Sequence, residues 1–320
     1  MQMRPILAVV TIMLAACDAQ PPRASTNAND EQRPAEGRLA VPGGNIWYYV
    51  SGTNTTATPL ILLHGGPGFS SFYLKPLEQL ADDRIVVRYD QLGGGKSDVV
   101  TDTTLFTIAH FVAELDSLRR YLGYDRVHLL GHSWGTILGI EYYRSHPEHV
   151  ASLILSSPAL DIPAWERNAK QLLTTLSDSA QRAVRVREAA NQYDAPDYQQ
   201  AVEEYYGKYY WQTPVPADLD SSMSTFNTDI YYYMQGPSEF TITGTLKSYD
   251  ATPFLNQVRV PVLYTVGELD SSNPEIVKRH AALTPGASVV VIPAARHVTT
   301  WDNPDVHVKA ARDFLRALDR

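Results

Sequence analysis

One cysteine, Cys17, stands in 320 residues. A single thiol excludes an intrachain disulfide, and its place inside the first apolar segment leaves no thiol for chemistry in the folded part. Long apolar runs are also lacking, since none reaches the roughly 20 residues that a spanning helix needs. No stretch is rich in lysine or arginine, and 27 basic against 35 acidic residues give a formal charge of -8. The chain therefore carries no electrostatic footprint for nucleic acid. No internal repeat is present. What remains is 44% hydrophobic, enough to bury a sizeable core as about two domains of ~150 residues or as one α/β domain carrying an insertion.

The first residues, MQMRPILAVVTIMLAAC, set Arg4 before an apolar run from Ile6 to Ala16 and small residues before Cys17. That is the layout of a secretory signal over residues 1–17. LAAC at 14–17 resembles a bacterial lipobox, in which Cys17 is lipidated. The expectation is a lipoprotein held at the bacterial cell envelope on the periplasmic side, touching membrane only through that lipid; the alternative is a secreted or soluble periplasmic protein. Residues 18–38 lack aromatic and β-branched aliphatic side chains. They read as a flexible linker with an r.m.s. span of roughly 25 Å.

Beyond it, LAVPGGNIWYYVSG (39–52) predicts a hairpin around Gly43-Gly44. Near-continuous apolar runs follow at 59–66, 84–90, 126–133, 151–157, 260–270 and 288–293. Such runs suit parallel strands buried on both faces. Residues 106–122 carry Ile108, Phe111, Val112, Leu115, Leu118 and Leu122 on one helical face, and 134–147 and 303–318 also read as helices. The alternation predicts an α/β fold with a doubly wound, mostly parallel sheet and right-handed crossovers. Residues 158–250 break it with helical, aromatic sequence such as EEYYGKYYW and DIYYYM. They are expected to form an inserted helical cap domain, with 39–157 and 251–320 as the catalytic domain, the cap lying over the C-terminal strand ends.

GHSWG at 131–135 follows an apolar strand and opens a helix. Gly131 and Gly135 permit a sharp strand-to-helix turn that exposes Ser133. A serine hydroxyl needs a base to take its proton. Of nine histidines, His297 stands in a loop just after the last strand, while the others fall in strands, in helices or at glycine turns. Asp270 ends the preceding strand and is the candidate acid; Asp161 and, less so, Glu268 are its rivals. The order Ser133, Asp270, His297 is the one this fold uses. HGGPG at 64–68 supplies backbone N–H groups, so Gly66 N–H and Trp134 N–H are the candidate oxyanion hole, with Gly65 beside them at the substrate. DQLGGGKSD at 90–98 lacks the spacing of a Walker loop and reads as a structural turn.

HGGPG (64–68), YDQLGGGKSD (89–98), GHSWG (131–135), GPSEFTITGTLKSYD (236–250), GELD (267–270) and ARHVTTWDNPD (295–305) together resemble the α/β-hydrolase superfamily. Within it they resemble the prolyl iminopeptidase group, which includes the tricorn-interacting aminopeptidases (serine peptidase family S33). The resemblance spans roughly residues 40–318. It implies an α/β-hydrolase fold and a serine aminopeptidase that takes an N-terminal residue, often proline, from short peptides or amino-acid amides. It implies no metal and no organic cofactor. It also implies that the substrate's ammonium group is held by cap carboxylates, with Glu239 on the position of one. The chain departs from the group at Ser271, where a second glutamate often follows the triad aspartate, at Lys96, where arginine is more usual, and at Leu92, where arginine is frequent. An esterase or lactonase using the same triad without a free amine is the alternative activity.

Overall fold

The computed structural model describes residues 35–319. The signal segment, Cys17 and most of the linker lie outside the described residues. The six apolar runs become β3 (Leu60–Leu63), β4 (Val86–Asp90), β5 (Val127–His132), β6 (Val150–Ser156), β7 (Val262–Gly267) and β8 (Ser288–Ile292). They pair in parallel. An antiparallel hairpin of β1 (Glu36–Val41) and β2 (Gly44–Ser51) joins through β4, giving the sheet order β1-β2-β4-β3-β5-β6-β7-β8.

The period of two residues along a strand decides what each side chain meets. Ile61 and Leu63 face one apolar cluster, with Phe111, Leu115 and Leu118 of α1 (Ile108–Tyr121) and Ile137 and Leu138 of α2 (Trp134–Ser145). Leu60 and Leu62 face the other, with Tyr73, Leu74 and Leu77 of a 3₁₀ helix (Ser71–Asp82) and with Val308, Ala311 and Leu315 near the C-terminus. Both faces are thus covered, which is why these strands read as unbroken apolar runs. The Thr107 hydroxyl accepts the His110 N–H to cap α1, and α2 stops two residues short of Pro147.

Strand β1 corrects the linker boundary, because residues 36–38 belong to it. Their polar character hid an edge strand. Its register rests on backbone pairing with β2, and Arg38 pairs with Asp98 while Glu36 accepts from Trp47 Nε1 at 2.6 Å.

Between β6 and β7 the chain forms α3 (Ile162–Leu173), α4 (Asp178–Ala189), α5 (Pro196–Tyr209), α6 (Ala217–Ser224), α7 (Thr228–Met234) and α8 (Thr252–Leu255). The two ends of this helical insertion meet in an antiparallel bridge, Asp161 with Asp250. Ile162 N–H donates to Tyr249 O at 3.0 Å and Ala251 N–H to Leu160 O at 2.8 Å. After β7 come α9 (Pro274–Leu283), then, beyond β8, α10 (Thr299–Asp302) and α11 (Pro304–Leu318). No described helix is long and apolar enough to cross a membrane.

Candidate active site

Ser133 sits alone between the end of β5 and the start of α2, with φ 54° and ψ -121°. A non-glycine residue held there costs about 1–3 kcal/mol and persists only under outside constraint. The constraint is visible: Ser133 N–H donates to Ser156 O at 3.0 Å, and Ser133 O accepts from Thr136 N–H at 2.8 Å and Thr136 Oγ1 at 2.6 Å. A Cβ on Gly131 would collide with the Gly135 carbonyl, and one on Gly135 with the Leu63 carbonyl. Trp134 opens α2, so its N–H has no partner within the helix. Its indole Nε1 donates to Gln91 Oε1 at 2.8 Å.

His297 lies in the loop between β8 and α10. Its Nδ1 is 2.8 Å from Asp270 Oδ1, and the two side chains are 4% and 0% exposed. Asp270 also accepts Ser272 N–H at 2.7 Å and Gly267 N–H at 3.3 Å. Burial opposes the charge on Asp270, but His297 and the Ser272 N–H, among others, outweigh it and hold the carboxyl below its usual range. The rival acids are engaged elsewhere. Asp161 caps α3 by accepting Ala164 N–H at 2.8 Å, and the exposed Glu268 accepts Ala294 N–H at 2.9 Å. The backbone of His297 is held from both sides. Its N–H donates to Tyr209 O at 2.9 Å and Val298 N–H to Tyr210 O at 2.8 Å, at the end of α5. Its carbonyl accepts from Ser157 Oγ at 3.0 Å.

Ser133 and His297 both line a cavity of about 180 Å³, together with Gly65, Gly66 and Glu239. The rest of the wall is mainly apolar and aromatic, including Phe69, Tyr206, Tyr210, Trp211 and Phe226. Ser133, Gly66 and Glu239 also border a smaller recess with Ala159, Trp165 and Gln235. Glu239 follows α7 and is half-buried. Its Oε1 accepts from Tyr231 Oη at 2.8 Å and its Oε2 from Gln235 Nε2 at 3.3 Å, while its carbonyl accepts from Trp165 Nε1 at 3.0 Å. Burial pushes its pKa up; His297 and hydrogen bonds from Tyr231 and Gln235 pull it down without cancelling that.

A family model for the α/β hydrolase fold matches residues 58–304. The proline iminopeptidase of Heyndrickxia coagulans is 39% identical over 286 residues, 88% of this chain and 99% of that protein. That of Saccharolobus solfataricus is 32% identical over 88% of this chain and 92% of its own length. The chain belongs to the proline iminopeptidase group of the α/β hydrolases. Among solved structures, VinJ superposes with a TM-score of 0.85 at 29% identity, covering 89% of this chain and 99% of its own. The proline iminopeptidase of Mycobacterium smegmatis does so with a TM-score of 0.82 at 30% identity, covering 89% and 98%.

For this α/β hydrolase, the structure brings Ser133, His297, Gly65, Gly66 and Glu239 to one cavity, with Asp270 behind His297 and Trp134 beside the smaller recess. Cys17 lies outside the described residues. The tyrosines divide: Tyr206, Tyr210 and Tyr231 line the cavity, Tyr205 is buried against Tyr209 and Phe240, and Tyr232 and Tyr233 are exposed. Ser271 turns its carbonyl to Asn168 Nδ2 at 2.8 Å. The turn at 90–98 is structural, with Asp90 accepting from Ser71 N–H at 2.6 Å and from Lys96 N–H at 2.8 Å. Sequence reasoning passed over Tyr73 and Ser157, and took His132 only as a turn residue. Nothing local marks the first two, because their partners are 59 and 140 positions away.

Proposed function

We propose that this serine hydrolase releases an N-terminal residue from short peptides or amino-acid amides through an acyl-enzyme. Ser133 Oγ attacks the carbonyl carbon as His297 takes the hydroxyl proton, with Asp270 orienting the imidazole and stabilising its charged form. Gly66 and Trp134 N–H groups receive the oxyanion of the tetrahedral intermediate. His297 then gives its proton to the leaving amine, and a water molecule repeats the sequence to free the acid. Glu239 holds the substrate's ammonium group, and Gly65 contributes backbone beside it.

The observation that carries this reading is the placement of Glu239. Its carboxylate shares the cavity with Ser133, and among the described residues no lysine or arginine pairs with it. A cation bound there supplies the missing charge, and the names of the relatives above support the same reading. A second reading, an esterase or lactonase without need for an amine, is favoured by the raised pKa of Glu239 and the apolar wall. A protonated Glu239 is a neutral hydrogen-bond donor, suited to an uncharged substrate.

Rates on prolyl and alanyl arylamides, on their N-acetylated forms and on p-nitrophenyl esters separate the two. The aminopeptidase reading expects blocked substrates to fail; equal rates on blocked and free amines would leave the esterase. The cap as a specificity domain over 158–250 and lipidation of Cys17 belong to the same proposal. Metabolic labelling with an alkynyl fatty acid should mark the wild-type protein and not Cys17→Ala; equal labelling removes the lipid anchor.

A further inference from the structure

Two buried side chains outside the proposed triad connect its two halves. Tyr73 belongs to the 3₁₀ helix Ser71–Asp82, and His132 is the last residue of β5. Gly65 N–H donates to Tyr73 Oη at 2.7 Å. Tyr73 Oη lies 2.7 Å from His132 Nδ1, and His132 Nε2 lies 2.9 Å from the carbonyl oxygen of His297. The proton positions follow from the far end. A carbonyl only accepts, so Nε2 of His132 carries the proton. In a neutral ring Nδ1 is then bare, so Tyr73 donates its hydroxyl proton there and uses a lone pair for Gly65.

We propose that Tyr73 and His132 are positioning residues, forming a relay that fixes the Gly65–Gly66 loop and the backbone of His297 at one relative placement. Those two segments come from opposite ends of the chain, 231 positions apart by number (297 minus 66). The oxyanion donors and the base must meet the same carbonyl group, and a displacement of about 1 Å costs roughly a hundredfold in rate. The relay has a second effect. The rings of His132 and His297 have centroids 4.8 Å apart. A proton on both would set like charges together when His297 becomes an imidazolium. With Nε2 already protonated, a second proton on His132 would have to displace the Tyr73 hydrogen bond at Nδ1. Burial, with His297 adding to it, lowers its pKa to about 3, in keeping with that neutral ring.

The inference rests on Ser133 and His297 as nucleophile and base, and it holds for amide and ester substrates alike. Tyr73→Phe keeps the ring packed between Phe69 and His132 and removes only the hydroxyl. His132→Gln keeps an N–H for the His297 carbonyl and loses the bare Nδ1. Each variant should lower kcat on p-nitrophenyl acetate and on alanyl p-nitroanilide about 10- to 100-fold, with KM changed less than about twofold. The double variant should be no slower than the slower single, because both cut one chain. Wild-type kcat in Tyr73→Phe overturns the relay. So does a rise in KM at constant kcat, which marks both residues as substrate contacts through the cavity they line, and so do losses that multiply. His132→Asn, which keeps an acceptor for Tyr73 but falls short of His297, gives the same test if His132→Gln does not fold. Activity surviving in Ser133→Ala would remove the underlying reading instead, whereas a dead Ser133→Ala beside an unaffected Tyr73→Phe removes only the relay.

Discussion

Glu239 has two claims on it, the hydrogen bonds of Tyr231 and Gln235 and the charge of whatever enters the cavity. Because burial raises its pKa, the carboxylate form is gained only as pH climbs through that raised value. Under the aminopeptidase reading, kcat/KM for free-amine substrates therefore rises with pH over that range, and ester hydrolysis lacks this limb. Glu239→Gln preserves shape and an oxygen for the Tyr231 hydroxyl while removing the charge, and gives up the longer hydrogen bond from Gln235. Loss of one partner of a buried pair typically costs about 3–5 kcal/mol, and the incomplete burial of Glu239 puts its share toward the lower end. The variant should lose about a hundredfold in kcat/KM on alanyl p-nitroanilide, lose the limb with it, and leave p-nitrophenyl acetate within about twofold. Parallel losses on both substrates would mean that Glu239 holds the cavity wall rather than an ammonium group.

At the scale of elements, the central parallel strands were legible because they are buried on both faces, so nearly their whole length is apolar. The elbow was legible for a related reason, since the close approach of backbone to Gly131 and Gly135 permits no other residue. Gly135→Ala should destabilise the fold by about 1–3 kcal/mol, the usual cost of overpacking, read as a lowered urea midpoint with loss of activity; an unchanged midpoint would show that α2 shifts freely. Other elements left no such mark. Residues 36–38 gain their place from ladder bonds that any side chain allows. The 3₁₀ helix around Pro76 packs Tyr73, Leu74 and Leu77 inward at spacings that a helix allows, yet the proline inside it reads as a break. The tie between α5 and the His297 loop is made by carbonyls of Tyr209 and Tyr210, and backbone groups carry no sequence signature.

At the scale of the whole molecule, three buried histidines that do not line the cavity limit its tolerance of acid. Burial above all lowers the pKa of His128, His280 and His307 to about 4 each. An unfolded histidine titrates near ~6.5, so between these values the unfolded chain takes up protons that the folded protein excludes. Their contribution is whole above that unfolded value and is lost as pH falls toward about 4, each group adding up to about 1.4 kcal/mol per pH unit to the slope. His280→Asn should flatten the urea-derived stability curve between about pH 6 and 4.5 by roughly that amount; an unchanged slope would mean that His280 is already solvated. The bridge between Asp161 and Asp250 has a consequence of another kind. The chain leaves the sheet and returns to it at adjacent points, so loop closure sets little penalty on the length of what lies between. A foreign segment can be grafted between Leu160 and Ala251 with β6 and β7 left in register. The transplant would have to present two backbone acceptors where Tyr209 and Tyr210 now meet the N–H groups of His297 and Val298, and a donor where Asn168 now holds the Ser271 carbonyl.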